Sequence, residues 1–163
     1  MRKKDISISQ SLLCADDDKW RIMLGGQQIG TITYEVHENE TSLQEINANL
    51  WKIATNIEVS HFPLVVIHDI FIDKAFRRRR NGTNALIGFT DKMRKQGVKV
   101  AMLCVGVDDF STRHGKKTAI WLSEWYEKLD FTPFMKNGVK IVSKDYSIAL
   151  TNNLWRWHWK TLI

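Results

Sequence analysis

"PLVVIHDIFIDKAFRRRRNGTNALI", residues Pro63 to Ile87, decides the fold. Its first ten residues are almost continuously apolar and rich in β-branched side chains, the pattern of a strand covered on both faces in the middle of a sheet. From Gly82 to Gln96 the apolar residues Leu86, Phe89 and Met93 return at helical spacing, and Gly97 supplies a stop. "VKVAMLCVGV" then reads as another buried strand. Strand, turn, helix and strand in that order make a βαβ unit, whose crossover leaves the two strands parallel and the connection right-handed.

Between the first strand and the helix stand four consecutive arginines, Arg77 to Arg80. A helix start carries about half a positive elementary charge and a set of unpaired N–H groups, so each exposed arginine there costs about 0.3–1 kcal/mol. A bound phosphate reverses the sign of the arrangement, because amides and guanidinium groups together become its ligands. The run therefore reads as a phosphate cradle with an excess of charge, and not as a solvated basic tail.

Outward from this unit, "DISISQSLL" is a first strand, and "ADDD" is a turn. "KWRIML" and "IGTITYEV" form a hairpin joined by "GGQQ". "TSLQEINANLWKIATN" places Leu43, Ile46, Leu50 and Ile53 at helical spacing, with Thr41 or Ser42 as N-cap. The polar "DDFSTRHGKK" is expected to be a loop leading into the helix "TAIWLSEWYEKL", with Leu122, Trp125 and Leu129 along one face. "FTPFM", "VKIVSKDYSIAL" and "LWRWHWKTLI" close the chain as strands, with "KNG" and "TNN" as turns. The expected fold is α/β in the mixed α+β sense. One domain spans 1–163, with a central mixed, mostly antiparallel sheet containing one parallel βαβ unit and flanked by helices; 163 residues suffice for one core.

Composition narrows the function less than the fold. With 44% hydrophobic and 26% charged residues and only two prolines, the balance is that of a folded protein, and the net charge of +6 favours an anionic partner. Cys14 and Cys104 stand far apart, and no Cys/His/Asp spacing suits a metal. The longest apolar stretch is broken by His68 and Asp69 and is too short to span a bilayer, and the basic start lacks an apolar h-region. A cytoplasmic setting with no membrane or targeting segment is the expectation.

"IHDIFIDKAFRRRRNGTNALI", the helix-ending Gly97 and the later "WYEKLDF" together resemble the GNAT N-acetyltransferase superfamily. That resemblance implies acetyl-CoA held on the strand–loop–helix, in a loop of pattern Arg/Gln-x-x-Gly-x-Gly/Ala whose amides bind the pyrophosphate. Two registers fit. Starting at Arg77 puts Arg80 at the usual first glycine and Gly82 at the last position, whereas starting at Arg79 puts Gly82 first and Asn84 last. The first register keeps the family's spacing from Ile72 and to Gly97. It implies that Arg77, Arg78, Arg79, Arg80, Asn81, Gly82 and Thr83 bind the cofactor, while the backbone of Ile70, Phe71 and Ile72 polarises the thioester. Tyr126 fits the family's Tyr-x-x-x-Gly-Phe, near the coenzyme sulfur. Asp130 replaces that glycine, and aspartate accepts left-handed angles better than most residues. The first half of the chain matches only in its hairpin, with one helix where the family has two.

Acetyl transfer to an amine needs a base for the amine proton and an acid for the leaving thiolate. Tyr126 is the candidate acid. His68 matches a strand position where some family members carry a catalytic glutamate, and a histidine's ordinary pKa near ~6.5 suits proton removal at neutral pH. Asp69 is its rival on the opposite strand face by the period-two rule, so only one of them is expected to face substrate. Asp73, His61, His114 and His37 read as surface. In "WRWHWK" the strand period puts Trp155, Trp157 and Trp159 on one face and Arg156, His158 and Lys160 on the other. The tryptophans suit a core or homodimer seam, a stacking surface for single-stranded RNA, or a wall of the acceptor cleft.

The function expected is direct, metal-free, acetyl-CoA-dependent N-acetylation of a primary amine on a small molecule, a protein or an aminoacyl-tRNA. The alternative is a non-catalytic module of the same fold that binds nucleic acid or a protein through its basic surface.

Overall fold

The computed structural model describes residues 6–10, 19–46, 61–104, 112–133, 135–136, 139–140 and 157–162. Cys14, Leu50, Ile53, Trp155, Arg156 and the later part of "VKIVSKDYSIAL" lie outside them.

Strand β1 (Ile6–Gln10) pairs antiparallel with β2 (Lys19–Leu24), which pairs with β3 (Gln27–His37). Leu24 faces Gln27 across a two-residue turn, so the hairpin is tighter than "GGQQ" suggests. Gly25 and Gly26 have φ of 57° and 83°, the paired positive angles that match the strand twist and favour glycine.

Helix α1 (Glu40–Ile46) begins earlier than its hydrophobic pattern indicated. Its cap is Asn39, whose Oδ1 accepts from the Ser42 amide at 2.9 Å, and not Thr41 or Ser42. The central strand β4 (Leu64–Ile72) follows, then a 3₁₀ turn at Lys74–Phe76, helix α2 (Asn81–Lys95) and strand β5 (Val100–Cys104). β4 and β5 are parallel, as the βαβ reading requires. Helix α3 (Arg113–Lys128) starts within the stretch expected to be a loop, because Thr112 caps it by accepting from the Gly115 amide at 2.9 Å. Short strands β6 (Thr132–Pro133), β7 (Met135–Lys136) and β8 (Val139–Lys140) precede β9 (Trp157–Thr161).

The main sheet runs β1-β2-β3-β4-β5-β9-β6, with β4 at its middle and β7-β8 forming a separate pair. β9 enters between β5 and β6, antiparallel to both. One face packs Trp20, Ile32, Tyr34, Val65 and Ile67 against Leu86, Phe89 and Met93 of α2 and Ala119 and Tyr126 of α3. The other packs Leu64, Val66, Val100 and Met102 against Leu43 of α1, with Trp157 and Trp159 alongside. Leu64 to Ile67 are buried from both sides, which is why this part of the sequence carries no polar alternation.

Both long helices end in left-handed residues. Gly97 has φ 88°, and the Val98 amide reaches back to the Met93 carbonyl at 3.0 Å. Asp130 has φ 66° after α3, where the Phe131 and Asp130 amides donate to the Tyr126 and Glu127 carbonyls, both at 3.0 Å. The second is the same reciprocal cap as the first, built on aspartate in place of glycine.

Candidate active site

The site grows from an irregularity in β4. Tyr34 faces Ile67 and Thr33 faces Asp69, so His68 is an extra residue with no partner of its own on β3. Such a bulge bends the strand and re-aims side chains. Its effect here is to put consecutive residues on one face. Asp69 shares the face of Thr33, and with it that of Glu35 and His37, while the His68 ring reaches Glu35 on the same side. Both His68 and Asp69 are exposed. The period-two expectation that only one could face substrate is thus overturned by the bulge.

The described ladder between β4 and β5 runs from Leu64–Val100 to Ile67–Leu103, and β4 continues to Ile72 paired with β3. Ile72 is buried, Ile70 half-buried and Phe71 45% exposed.

The arginine run divides its labour. Arg77 folds back: its Nε donates to the Ile72 carbonyl at 2.7 Å, and its guanidinium lies 5.5 Å from the Phe71 ring centroid. Arg78, Arg79 and Arg80 are exposed, and no acidic side chain among the described residues pairs with them. Arg78 and Arg80 have φ of 62° and 63°, a left-handed conformation that costs a non-glycine residue roughly 1–2 kcal/mol. Arg80 is the N-cap of α2 and offers no side-chain cap. Arg80, like Arg78, adopts backbone angles that favour glycine. Strain of this kind is retained where surrounding structure or function demands it.

Asn81 is buried and braces the loop by donating from Nδ2 to the Phe76 carbonyl at 2.8 Å. The first backbone bond of α2 runs from the Asn84 amide to the Arg80 carbonyl at 3.0 Å, so the amides of Asn81, Gly82 and Thr83 precede the ladder. The helix opens with amides and three guanidinium groups that pair with no acidic side chain among the described residues, a donor set suited to a pyrophosphate.

Helix α3 meets this loop through Trp125. Its Nε1 donates to Thr83 Oγ1 at 2.8 Å, and its ring lies 3.7 Å from where a Cβ on Gly82 would stand. Tyr126, the next residue, is buried in the core of that face, with its ring 5.5 Å from the His158 ring and 6.3 Å from that of Phe131. His158 is fully buried and its Nε2 lies 2.9 Å from Ser123 Oγ. Because His158 faces Leu103, and Leu103 faces Ile67, Tyr126 approaches the sheet at the last described row of the β4–β5 ladder. His68 and Asp69 lie on the opposite face just beyond that row.

Three groups escaped the sequence reading. Glu35 Oε2 lies 3.3 Å from His68 Nε2 and 3.5 Å from His37 Nε2. His37 is not a surface residue: it is fully buried, and its Nδ1 lies 3.1 Å from Ser42 Oγ. Burial holds the His37 pKa below the usual histidine value; Glu35 opposes this shift and His68 adds to it. His158, placed by period on the face opposite the tryptophans, is the buried side of β9, while Trp157 and Trp159 are half-buried against the other core. The alternation was legible, but which face covered it was set by α3. Asp73 and His114 are exposed and His61 is half-buried.

No protein-family model and no curated protein matches the chain. Solved structures do. A Staphylococcus aureus protein whose acetyltransferase activity is itself a proposal superposes with a TM-score of 0.50 at 12% identity, over 90% of this chain and 73% of that one. A GNAT-family acetyltransferase from the same organism gives 0.49 at 15% identity, covering 89% and 67%. The ribosomal-protein-S18-alanine N-acetyltransferase of Escherichia coli gives 0.49 at 13%, covering 88% and 68%. The architecture is that of the acetyltransferase fold, a mixed sheet with one parallel βαβ unit. It is the GNAT fold that the loop and helix motifs led one to expect. Identities of this size speak to fold alone.

Proposed function

We propose that the protein is an acetyl-CoA-dependent N-acetyltransferase that transfers the acetyl group directly to a primary amine. The observation that carries this reading is the coincidence of two features at one end of β4: a bulge at His68, and a strained arginine loop opening α2. Acetyl-CoA supplies the activated carbonyl and the thiolate leaving group. Arg78, Arg79 and Arg80, with the amides of Asn81, Gly82 and Thr83, hold its phosphates. Arg77 keeps the loop against Ile72, and backbone N–H groups between Ile70 and Ile72 orient the thioester carbonyl. His68, with Asp69 beside it, takes the proton of the amine. The Tyr126 hydroxyl donates a proton to the departing sulfur from the other side of the sheet.

Calorimetric titration with acetyl-CoA, together with thiol release by a Tyr126→Phe variant, tests the reading. Binding is expected, with kcat reduced about 10²–10³-fold in the variant and cofactor affinity retained. Absence of binding at millimolar cofactor overturns it. The acceptor class stays open among small amines, protein amines and aminoacyl-tRNA, and a cytoplasmic setting belongs to the same proposal. No helix among the described residues is long and apolar enough to cross a membrane.

A second reading has one observation in its favour. Trp121 is 61% exposed and stacks on Trp125, which itself bonds Thr83 in the first turn of α2, an arrangement suited to a nucleic-acid base. Binding of RNA that weakens steeply with salt, and that acetyl-CoA fails to displace, would favour a non-catalytic module.

A further inference from the structure

On the face of the sheet covered by α1, a carboxylate stands between two imidazoles. Glu35 Oε2 lies 3.3 Å from His68 Nε2 on one side and 3.5 Å from His37 Nε2 on the other. The oxygen itself is buried, although the Glu35 side chain is 33% exposed overall. Both separations are ion-pair distances, and neither Glu35 Oε2 nor His37 Nε2 has a hydrogen bond of good alignment. A buried carboxylate oxygen left in this state calls for an explanation. His37 is anchored on its far side, with Nδ1 3.1 Å from Ser42 Oγ, and Ser42 is held in turn by the α1 cap at Asn39. The exposed member of the trio is His68, whose side chain is 38% exposed.

We propose that Glu35 is a positioning residue that holds the His68 ring with Nε2–H turned inward, so that Nδ1 is the atom that takes the proton of the acceptor amine. This rests on reading His68 as the base. The tautomers follow from the partners. A carboxylate oxygen can only accept, so the nitrogens facing it, His68 Nε2 and His37 Nε2, carry hydrogens, and Ser42 Oγ–H donates to His37 Nδ1. His68 Nδ1 is then the lone-pair nitrogen and the one not engaged by Glu35. In the transfer, an N–H bond of the ammonium breaks and an Nδ1–H bond forms. The amine keeps the electron pair with which it attacks the thioester carbonyl carbon; the C–S bond then breaks as the Tyr126 proton passes to the sulfur, the second proton shed by the nitrogen as the amide forms goes to water, and the imidazolium rests beside the Glu35 carboxylate, which stays ionised. Asp69, on the same face, is left to meet the ammonium of the incoming substrate and not to orient the ring.

The bulge brings Asp69 to the same face: an unbulged strand would pair His68 with Thr33, already on the face of Glu35, and turn Asp69 to the other side, whereas the extra residue puts Asp69 opposite Thr33 beside His68.

The test uses the full chain labelled with ¹⁵N-histidine, as wild type and as Glu35→Gln, Glu35→Ala and Glu35→Asp. The wild type is expected to give a slowly exchanging imidazole proton correlated with His68 Nε2. Glu35→Ala should lose it, and Glu35→Asp should keep it weakened. In acetyl transfer, Glu35→Gln should lower kcat about 10–100-fold with KM for both substrates changed less than about threefold, as for a group acting through the base. A His68 Nε2 proton that is absent from the wild type, or that persists unchanged in Glu35→Ala, overturns the proposal whether or not the protein transfers acetyl groups. An unchanged kcat in Glu35→Gln overturns it as well. A protein with no transferase activity, but with the spectroscopic result as expected, would sink the functional reading and leave the orientation of His68 established.

Discussion

The Trp125 indole donates a hydrogen bond to the Thr83 hydroxyl across 2.8 Å, and so joins the helix that carries Tyr126 to the helix that opens at the arginine loop. The two halves of the proposed site are therefore one mechanical unit. Trp125→Phe keeps most of the apolar contact and removes the donor. It should cost about 0.5–1.5 kcal/mol, seen as a lowering of the melting temperature by about 1–6 °C. A several-fold weaker Kd for acetyl-CoA, measured by calorimetry, should accompany it. An unchanged melting temperature would mean that this bond contributes nothing net.

Arg80→Gly should stabilise the protein in the absence of ligand. The left-handed backbone at φ 63° is relieved, and a charge is removed from the positive end of α2. Glycine's greater freedom when unfolded offsets part of the gain, leaving about 1 kcal/mol, or a rise of about 2–4 °C in a melting experiment at low salt. Calorimetry on the same variant then reports what the side chain does. Weaker binding of acetyl-CoA by a more stable protein identifies Arg80 as a phosphate ligand.

Gly30 lies on β3 opposite Ile72, where an added Cβ would stand 2.0 Å from the Phe71 carbonyl oxygen. The obstacle is backbone, which cannot rotate aside. Gly30→Ala should therefore push the end of β4 outward, destabilising the fold by roughly 1–3 kcal/mol and weakening cofactor binding together with it. Denaturant melts that leave the variant as stable as the parent would refute this account of the strand pairing.

The pH dependence of stability should carry the signature of His37. Its folded pKa is depressed by burial below the ordinary value of 6.5, so in the window just below 6.5 the unfolded chain binds the proton that the folded one refuses. Stability is fully present above that value and falls as pH drops through it, until the folded-state pKa is passed. Melting temperatures recorded from pH 7.5 to 5 should decline on the acid side. His37→Gln should flatten that slope, and an equally steep slope in the variant would assign it to other groups.

What the sequence disclosed, and what it withheld, divides along physical lines. The central strand, α2 and its stop at Gly97 were legible because each is written in consecutive residues: an apolar run, a helical period, a glycine in the left-handed region. Asp130 could be read the same way, as a tolerable stand-in for glycine. The bulge at His68 could not, since it is a mismatch in count between β3 and β4 and neither strand records it alone. The early start of α3 was hidden by its polarity, as Arg113, His114 and Lys117 face outward and leave no apolar stripe to read. Glu35 and His37 were overlooked for a similar reason. They matter only through partners on α1 and β4, which meet them after the sheet has formed.

The place of β9 also bears on how the chain reaches its fold during synthesis. Residues 157–161 fill the gap between β5 and β6, yet they leave the ribosome long after both of those strands. Until then, among the described residues, one edge of β5 stays open and β6 has no partner in this sheet. Assembly of that half of the sheet must wait for a late segment that closes over contacts distant in sequence, which slows folding and prolongs exposure of an unpaired strand.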